Sequence, residues 1–511
     1  MPTSHFPYGR SLRQLLPHGL WVCGQDVRFT SCCSEPQRCR PGDLYAALEL
    51  PGFDGHDHAN EAVRHGAVGV IAEHPVPVSV HVCLVPDSRE AYGHICQELA
   101  GQPSLRLRTV GVTGTHGKTT TSLLIAAVLR ATGQRTGVTS SIGYYDGEAT
   151  ALASRTTPPA AELAHWMARM VENRCAHAVL EISSTALAQR QVAGIQLDAA
   201  VLTNIRRDHL DYHGSLVNYR RAKARLFEHM KPSSAAIINA DDPASRLVLR
   251  NLHRPAITVG IRAEADVTAE VVECYAGEQT LLLTAGCATA AVQTRMFGDQ
   301  HAYNCLSAAA VGLLAGLDLT TVARGLESVE QVPGRLEPVV AGQPFGVYVD
   351  CARAPDSLAL GLKALRRVTT GRLICVFGAD ARRDPALRPL LGRVVERYAN
   401  VGIITNDNPR EEEPLHIVHD ILDGYDRPAR AHVLPDRAEA IRWALSTARP
   451  GDAVLLAGKG DRTEQIIGAE HHPFDDREVA RRWLFDVGAK IEYEEPARHI
   501  LPFRGGVQLA N

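Results

Sequence analysis

The residues best suited to chemistry gather first in Leu107–Thr121, LRTVGVTGTHGKTTT. An apolar strand pattern through Val110 and Val112 runs into a turn carrying Gly114 and Gly117. Lys118 and Thr119 then open an amphipathic helix that continues TSLLIAAVLRATG. Glycines let a backbone curl until several N–H groups face one anion, and a helix N-terminus adds partial positive charge. In such a loop the lysine reaches the terminal phosphates of a nucleoside triphosphate and the hydroxyl after it ligates Mg²⁺. Val112 stands where the usual G-x4-G-K-[ST] spacing has its first glycine. The alternative, an ordinary glycine-rich turn, is disfavoured because strand, turn, GKT and helix occur in that order.

A second set of residues closes strand patterns. Glu181 ends HAVLE and precedes Ser183 and Ser184; it reads as a Mg²⁺ ligand, or alternatively as an acid beside a serine-capped helix. DAAVLTNI leads into Asp208, His209, Asp211 and His213, candidate metal ligands at a sheet edge. In YRRAKARLF, helical spacing puts Tyr219, Lys223 and Phe227 on one face. A lysine on that apolar stripe needs a partner or a modification, unless it snorkels to water. Arg335 follows a Pro–Gly turn and is placed to clamp a phosphate on domain closure. Asp350 ends GVYVD, a position that often meets a ribose hydroxyl. Arg383, Asp407–Arg410 (DNPR) and Gly458–Gly460 (GKG) follow three strand patterns, so their loops share one sheet edge and suit a small charged ligand.

The elements that must hold these residues are strands alternating with helices, which predicts an α/β fold with mostly parallel sheets covered on both faces. The 511 residues divide into three expected domains: a small α/β domain over 1–103, a central nucleotide-binding domain over 104–332, and a doubly wound, Rossmann-like domain over 333–495. Residues 262–297 read as short antiparallel strands, and 496–511 as a tail. Hydrophobic content of 45% and charged content of 22% are those of a soluble globular chain. A net charge of −3 argues against a nucleic-acid partner. No apolar run is long enough to span a membrane and the start of the chain has no signal-peptide pattern, so a cytoplasmic protein without membrane insertion is expected. Twelve cysteines are scattered; Cys32, Cys33 and Cys39 cluster, but without a CxxC pair or histidine spacing a zinc site there is not expected.

With these residues assembled, the chain resembles the Mur ligase family, and within it the MurE type. The resemblance runs from PGDLYAAL at 41 to HPFDDREVA near 480. It rests on GVTGTHGKTTT, Thr156-Thr157-Pro158, LEISS, TNIRRDHLDYHGS, YRRAKARLF, VPGRLE, DNPREEEP and AGKGDRTEQIIG. It implies an ATP-dependent amide ligase of peptidoglycan synthesis, and so of cell-wall biogenesis, cell shape and cell division. Such a ligase adds a third amino acid, a diamino acid such as meso-diaminopimelate, to UDP-N-acetylmuramoyl-L-alanyl-D-glutamate and releases ADP and phosphate.

By the same resemblance, Gly114, Thr115, Gly117, Lys118, Thr119, Thr120, Asn304, Arg335 and Asp350 bind ATP. Thr119, Glu181, His209 and a carbamylated Lys223 hold Mg²⁺; Lys118, Glu181, His209 and Lys223 form the catalytic set. Thr156, Thr157, Ser183, Gln189 and Arg190 face the UDP-muramoyl peptide. Arg383, Asp407, Asn408, Arg410 and Gly458 face the amino acid. A monomer is expected. Departures fall in the substrate positions. The D-S-R motif of the first domain reads Glu35-Pro36-Gln37, D-Y-A-H-T-P reads Asp350-Cys351-Ala352-Arg353-Ala354-Pro355, and the glutamate of G-K-G-H-E is Arg462. The phosphate and metal positions remain. Two alternatives share the residues: a paralogous ligase acting on another carboxylate, and a nucleotide-binding homologue without catalysis.

Overall fold

The computed structural model describes residues 9–22, 25–50 and 52–488, so the expected tail over 496–511 lies outside the described residues. The described residues form two compact units, each woven from separate stretches: those up to 113, 134–200 and 222–234 in the first; 114–133, 201–221 and those from 235 on in the second.

The first unit contains a five-stranded sheet in the order Leu20–Val22, His81–Leu84, Gly69–Ala72, Asp43–Ala46, Ser31–Cys33. Its last four strands are parallel, and Leu20–Val22 runs antiparallel at one edge. Leu44, Ile71, Cys83 and Ile95 fill one core, and Tyr45, Val70 and Val82 fill another. This is the period of two expected of strands buried on both faces. The same unit holds Arg108–Thr113, Thr136–Ser140 and His177–Glu181, with His177–Glu181 central and parallel to both neighbours. The carboxyl ends of Arg108–Thr113 and His177–Glu181 therefore lie side by side, Val112 opposite Glu181.

In the second unit, helix Lys118–Arg130 follows Gly117, whose φ of +82° is a left-handed value open to glycine. A Cβ on Gly117 would stand 2.3 Å from Asn304 Oδ1, and one on Gly114 would stand 1.8 Å from Thr203 Oγ1. Both positions thus demand glycine for close approach. The expected short antiparallel strands are Val267–Tyr275, Glu278–Ala285 and Ala288–Thr294, joined in sequence.

A six-stranded sheet follows, in the order Glu337–Pro338, Gly346–Asp350, Ala453–Ala457, Leu373–Phe377, Val401–Ile404, Ala431–Val433; all but the first are parallel. Its two faces are separately covered. Leu373, Cys375 and Phe377 pack with Leu358, Leu362, Leu391 and Ile421, whereas Ile374 and Val376 pack with Ile441, Ala444 and Leu484. Helices on both faces of a parallel sheet make it doubly wound, as expected. Two features were not anticipated. The lysine-bearing segment is an α-helix only over Leu216–Ala224 and tightens to a 3₁₀ turn at Arg225–His229. A hairpin, Glu464–Ile467 with Glu470–Pro473, follows the GKG turn.

Candidate active site

The second unit brings most of the nucleotide residues together. Lys118 donates through Nζ to the carbonyls of Gly114 and Thr115, both at 3.1 Å, so its ammonium lies over the loop it belongs to. Thr115 Oγ1 is 3.0 Å from the Tyr219 hydroxyl, and the His116 N–H donates to Asn204 Oδ1 at 2.9 Å. Asn204 and Tyr219 are supports that the motif alone did not reveal. Asn304 Oδ1 accepts from the Thr121 hydroxyl at 3.2 Å, which ties the expected adenine-side helix to the loop helix.

Arg335 crosses 216 positions of sequence to put Nη2 3.4 Å from Thr119 Oγ1, and pairs through Nη1 with Asp461 at 3.0 Å. The next residue, Leu336, takes φ +46°, a value costly for a bulky side chain; its N–H donates to Asp350. Burial pushes the Asp350 carboxyl up, against the N–H groups of Leu336 and Ala352 that hold it.

Asp208 and His209 face the same loop. His209 has φ +52°, and left-handed backbone outside glycine costs about 1–3 kcal/mol where tertiary structure imposes it. Asp208 pairs with Arg383 at 3.1 Å, and Arg207–Asp211 line a small hollow with Arg383, Asp384 and Leu387. Burial alone would raise the Asp208 carboxyl; His209, Arg383 and Lys118 outweigh it and hold it below its ordinary value. Burial lowers the His209 imidazole, opposed by Asp208 and reinforced by Arg383 and Lys118. The imidazole is therefore biased to the neutral form, which can ligate a metal.

The expected amino-acid residues gather around a group that sequence reasoning missed, Asp380. Its carboxylate accepts from Asn408 Nδ2 at 3.1 Å and Arg410 Nε at 3.3 Å, and Arg462 stands 3.8 Å away. An acid therefore sits beside the position where a glutamate gives way to Arg462, and it offsets the reversed charge. Asp407 is fully buried, with Lys459 at 3.5 Å and Arg353 at 3.8 Å. Lys459, in the GKG turn beside Gly458, was also missed as a site residue. Burial lowers its ammonium to about 8, with Asp407 pulling the other way.

The remaining site residues lie in the first unit. Glu181 is buried, and its Oε2 accepts from the Ser141 N–H at 2.9 Å. Thr157 Oγ1 donates to the Glu181 carbonyl and accepts from the Ser183 N–H, so the Thr-Thr-Pro turn is locked onto this strand end. Ser183 also caps helix Ser184–Ala188, as the alternative reading of that serine had it. Arg190 faces Asp87 and Glu90, both at 3.6 Å, and Glu228 at 3.4 Å. Gln189 closes the short helix, accepting a hydrogen bond from the Gln191 amide at 2.8 Å. Tyr219, Lys223 and Phe227 are all buried, which removes the snorkelling alternative for Lys223. Of the residues expected at the metal, Thr119 and His209 belong to the second unit, Glu181 and Lys223 to the first. The Thr119 hydroxyl and the Glu181 carboxylate are oxygen donors, the kind a hard divalent cation takes. The glycine-lined cradle suits a phosphate.

Known proteins resemble this chain over most of its length. Residues 112–312 match the Mur ligase middle domain, and 334–460 match the Mur ligase glutamate ligase domain. A UDP-N-acetylmuramoyl-L-alanyl-D-glutamate–2,6-diaminopimelate ligase of Geobacillus kaustophilus is 41% identical over 487 residues, covering 93% of this chain and 100% of that protein. The Aquifex aeolicus protein of the same name is 37% identical over 445 residues, covering 87% and 91%. Among solved structures, a ligase of that name superposes with a TM-score of 0.69 at 30% identity, covering 94% of this chain and all of the other. The Thermotoga maritima MurF ligase in complex with ADP shares the fold at a TM-score of 0.60 and 21% identity, over 89% of this chain and 96% of that one. By its motifs, its strand-end geometry and these likenesses, the chain belongs to the Mur ligase family.

Proposed function

We propose that this protein is an ATP-dependent ligase that adds diaminopimelate to UDP-N-acetylmuramoyl-L-alanyl-D-glutamate in peptidoglycan precursor synthesis. The observation that carries the reading is the loop Gly114–Thr119, with Lys118 within electrostatic reach of Asp208 and His209 and with Arg335 beside Thr119. Identity of 41% to a ligase of that name across nearly the whole chain supports the substrate assignment.

In this reading a carboxylate oxygen of the D-glutamyl residue attacks the γ-phosphorus of ATP, and ADP leaves. The amine of the amino acid then adds to the acyl carbon. The tetrahedral adduct loses a proton from nitrogen and expels phosphate, leaving an amide. Lys118 turns from the loop carbonyls to the γ-phosphoryl oxygens, and Arg335, beside Thr119, neutralises further charge. Thr119 and His209 of the second unit, and Glu181 and a carbamylated Lys223 of the first, are the residues that would hold Mg²⁺, which when bound would supply further charge neutralisation. Asn304 and Asp350 meet the nucleoside. Thr156, Thr157, Ser183, Gln189 and Arg190 orient the muramoyl peptide. Arg383, Asp407, Asn408, Arg410 and Gly458 orient the amino acid, with Asp380 fixing Asn408 and Arg410. The three-domain division at 103 and 332, a cytoplasmic location and a monomeric state belong to the same reading. Among the described residues, no helix is long and apolar enough to cross a membrane.

Phosphate release measured with ATP, Mg²⁺ and a panel of carboxylate acceptors and amino acids tests the assignment. Release that requires both the muramoyl dipeptide and diaminopimelate supports it. Release with a different acceptor would make the chain a paralogous ligase. ATP binding with no release from any pair would make it a non-catalytic homologue.

A further inference from the structure

Around the turn that carries Glu35-Pro36-Gln37, the first unit gathers a soft-ligand cluster. Cys33 ends the strand Ser31–Cys33, Cys39 follows the 3₁₀ turn Pro36–Arg38, and Asp43 opens the next strand, so one short turn is framed by three donors. The two thiols and an Asp43 carboxylate oxygen lie within 4.8 Å of one another. Both cysteines are free thiols; Cys39 and Asp43 are buried and Cys33 is partly exposed.

Register explains the convergence. Ser31 pairs with Asp43 across the parallel strands, and Cys33, two residues on, projects from the same face as Ser31. Cys32 points the other way, into the core with Leu44 and Ile95. Asp43 is held by neutral donors, the Ser31 hydroxyl and the Arg40 N–H, which orient its carboxylate without neutralising it. The sequence did not favour a zinc site because the third donor is an aspartate, brought back by strand pairing and not by a spaced histidine or cysteine.

We propose that Cys33, Cys39 and Asp43 bind a zinc-class divalent cation that staples the turn 34–38 to the sheet. Two thiolates and a carboxylate are ligands zinc takes, and three protein donors leave a fourth position to water. Sulfurs about 2.3 Å from a tetrahedral ion stand about 3.8 Å apart, so the group needs only small side-chain rotations to close on the ion. Deprotonation of the two thiols releases two protons on binding. A disulfide is the competing fate of the thiols, and the placement of Asp43 beside both sulfurs favours the metal. The neighbouring trio Asp54, His56 and His74 is a weaker candidate, because His56 already engages Asp54 through Nδ1 and the Glu73 N–H through Nε2.

The test uses the full chain purified without chelator, dialysed against zinc and then against metal-free buffer, and analysed for bound metal; cobalt substitution is read in the ultraviolet for thiolate-to-cobalt charge transfer. We expect one zinc per chain, a charge-transfer band, and loss of both in Cys33→Ser and in Cys39→Ser. Cys287→Ser, at an exposed cysteine, should retain both. Asp43→Asn should weaken zinc at least ten-fold in a chelator competition, with both thiols still present. Zinc-free protein whose Cys33 and Cys39 both react with a thiol reagent would overturn the proposal. So would a Cys33–Cys39 disulfide found in unreduced peptides from protein handled without oxidant. Far-ultraviolet circular dichroism of each variant separates loss of metal from loss of fold.

Discussion

Arg383 donates to Asp208 at 3.1 Å, joining the loop that follows Leu373–Phe377 to the loop that follows Leu197–Leu202 across 175 positions of sequence. The pair links a residue expected at the amino acid to one facing the phosphate loop. In the proposed reading, an incoming amino-acid carboxylate would compete with Asp208 for the same guanidinium. Arg383→Ala is therefore expected to raise the KM for the amino acid about ten- to hundred-fold, the range of one charged hydrogen bond, with the KM for ATP little changed. Because the Asp208 carboxyl is held below its ordinary value, the pair's contribution is present above the usual carboxylate range and is lost only as pH falls through the depressed value. Steady-state kinetics at neutral pH therefore see the pair intact in the wild type. An unchanged amino-acid KM in the variant would remove Arg383 from that site.

Lys118→Ala should lower kcat by at least about 10²-fold, the usual scale for one group that stabilises transferring charge, with the unfolding midpoint preserved. The fold should tolerate the change because, among the described residues, the ammonium bonds to two carbonyls of its own loop. Turnover at the wild-type rate would mean that the loop is not the phosphate site.

Lys223 is 1% exposed on a helix whose neighbouring stripe residues are apolar. A carbamate there would supply a carboxylate toward the metal. Protein equilibrated with ¹³C-labelled bicarbonate should show one carbamate carbon resonance that disappears in Lys223→Ala, and short carboxylic acids should restore part of that variant's activity. Active wild-type enzyme without the resonance would exclude the modification.

His301 is buried, faces Cys305 Sγ at 3.3 Å, and is held down to about 4 by burial. The unfolded chain binds its proton near the ordinary histidine value, so between about 6.5 and 4 the unfolded state holds more protons and stability falls as pH falls. One such group contributes a slope of up to about 1.4 kcal/mol per pH unit. His301→Leu, which fits an apolar surrounding, should flatten the decline of the urea midpoint over that window. An unaltered slope would show that His301 is not a source of acid lability.

Much of this was legible because local pattern and global fold agree. GKT after an apolar strand sufficed to put Lys118 at a helix start, and apolar runs such as Leu373–Phe377 alternating with helix patterns were enough for a sheet covered on both faces. What stayed hidden depends on partners far apart in sequence. Asp380 shows nothing in FGADA that marks it as the acid holding Asn408 and Arg410. Arg437 and Asp476 form a fully buried pair at 2.7 Å beside the Gly458 turn, and nothing in the sequence joins two residues 39 positions apart. The left-handed backbone of Arg410 is likewise imposed by tertiary structure, since arginine does not favour it.

The central claim is that a substrate carboxylate is activated by phosphoryl transfer before the amide forms. Muramoyl dipeptide labelled with ¹⁸O in the D-glutamyl side-chain carboxylate, turned over with ATP, Mg²⁺ and diaminopimelate, tests it most directly. The account predicts one labelled oxygen in the released phosphate for each amide made. Amide formed while the phosphate stays unlabelled would contradict it.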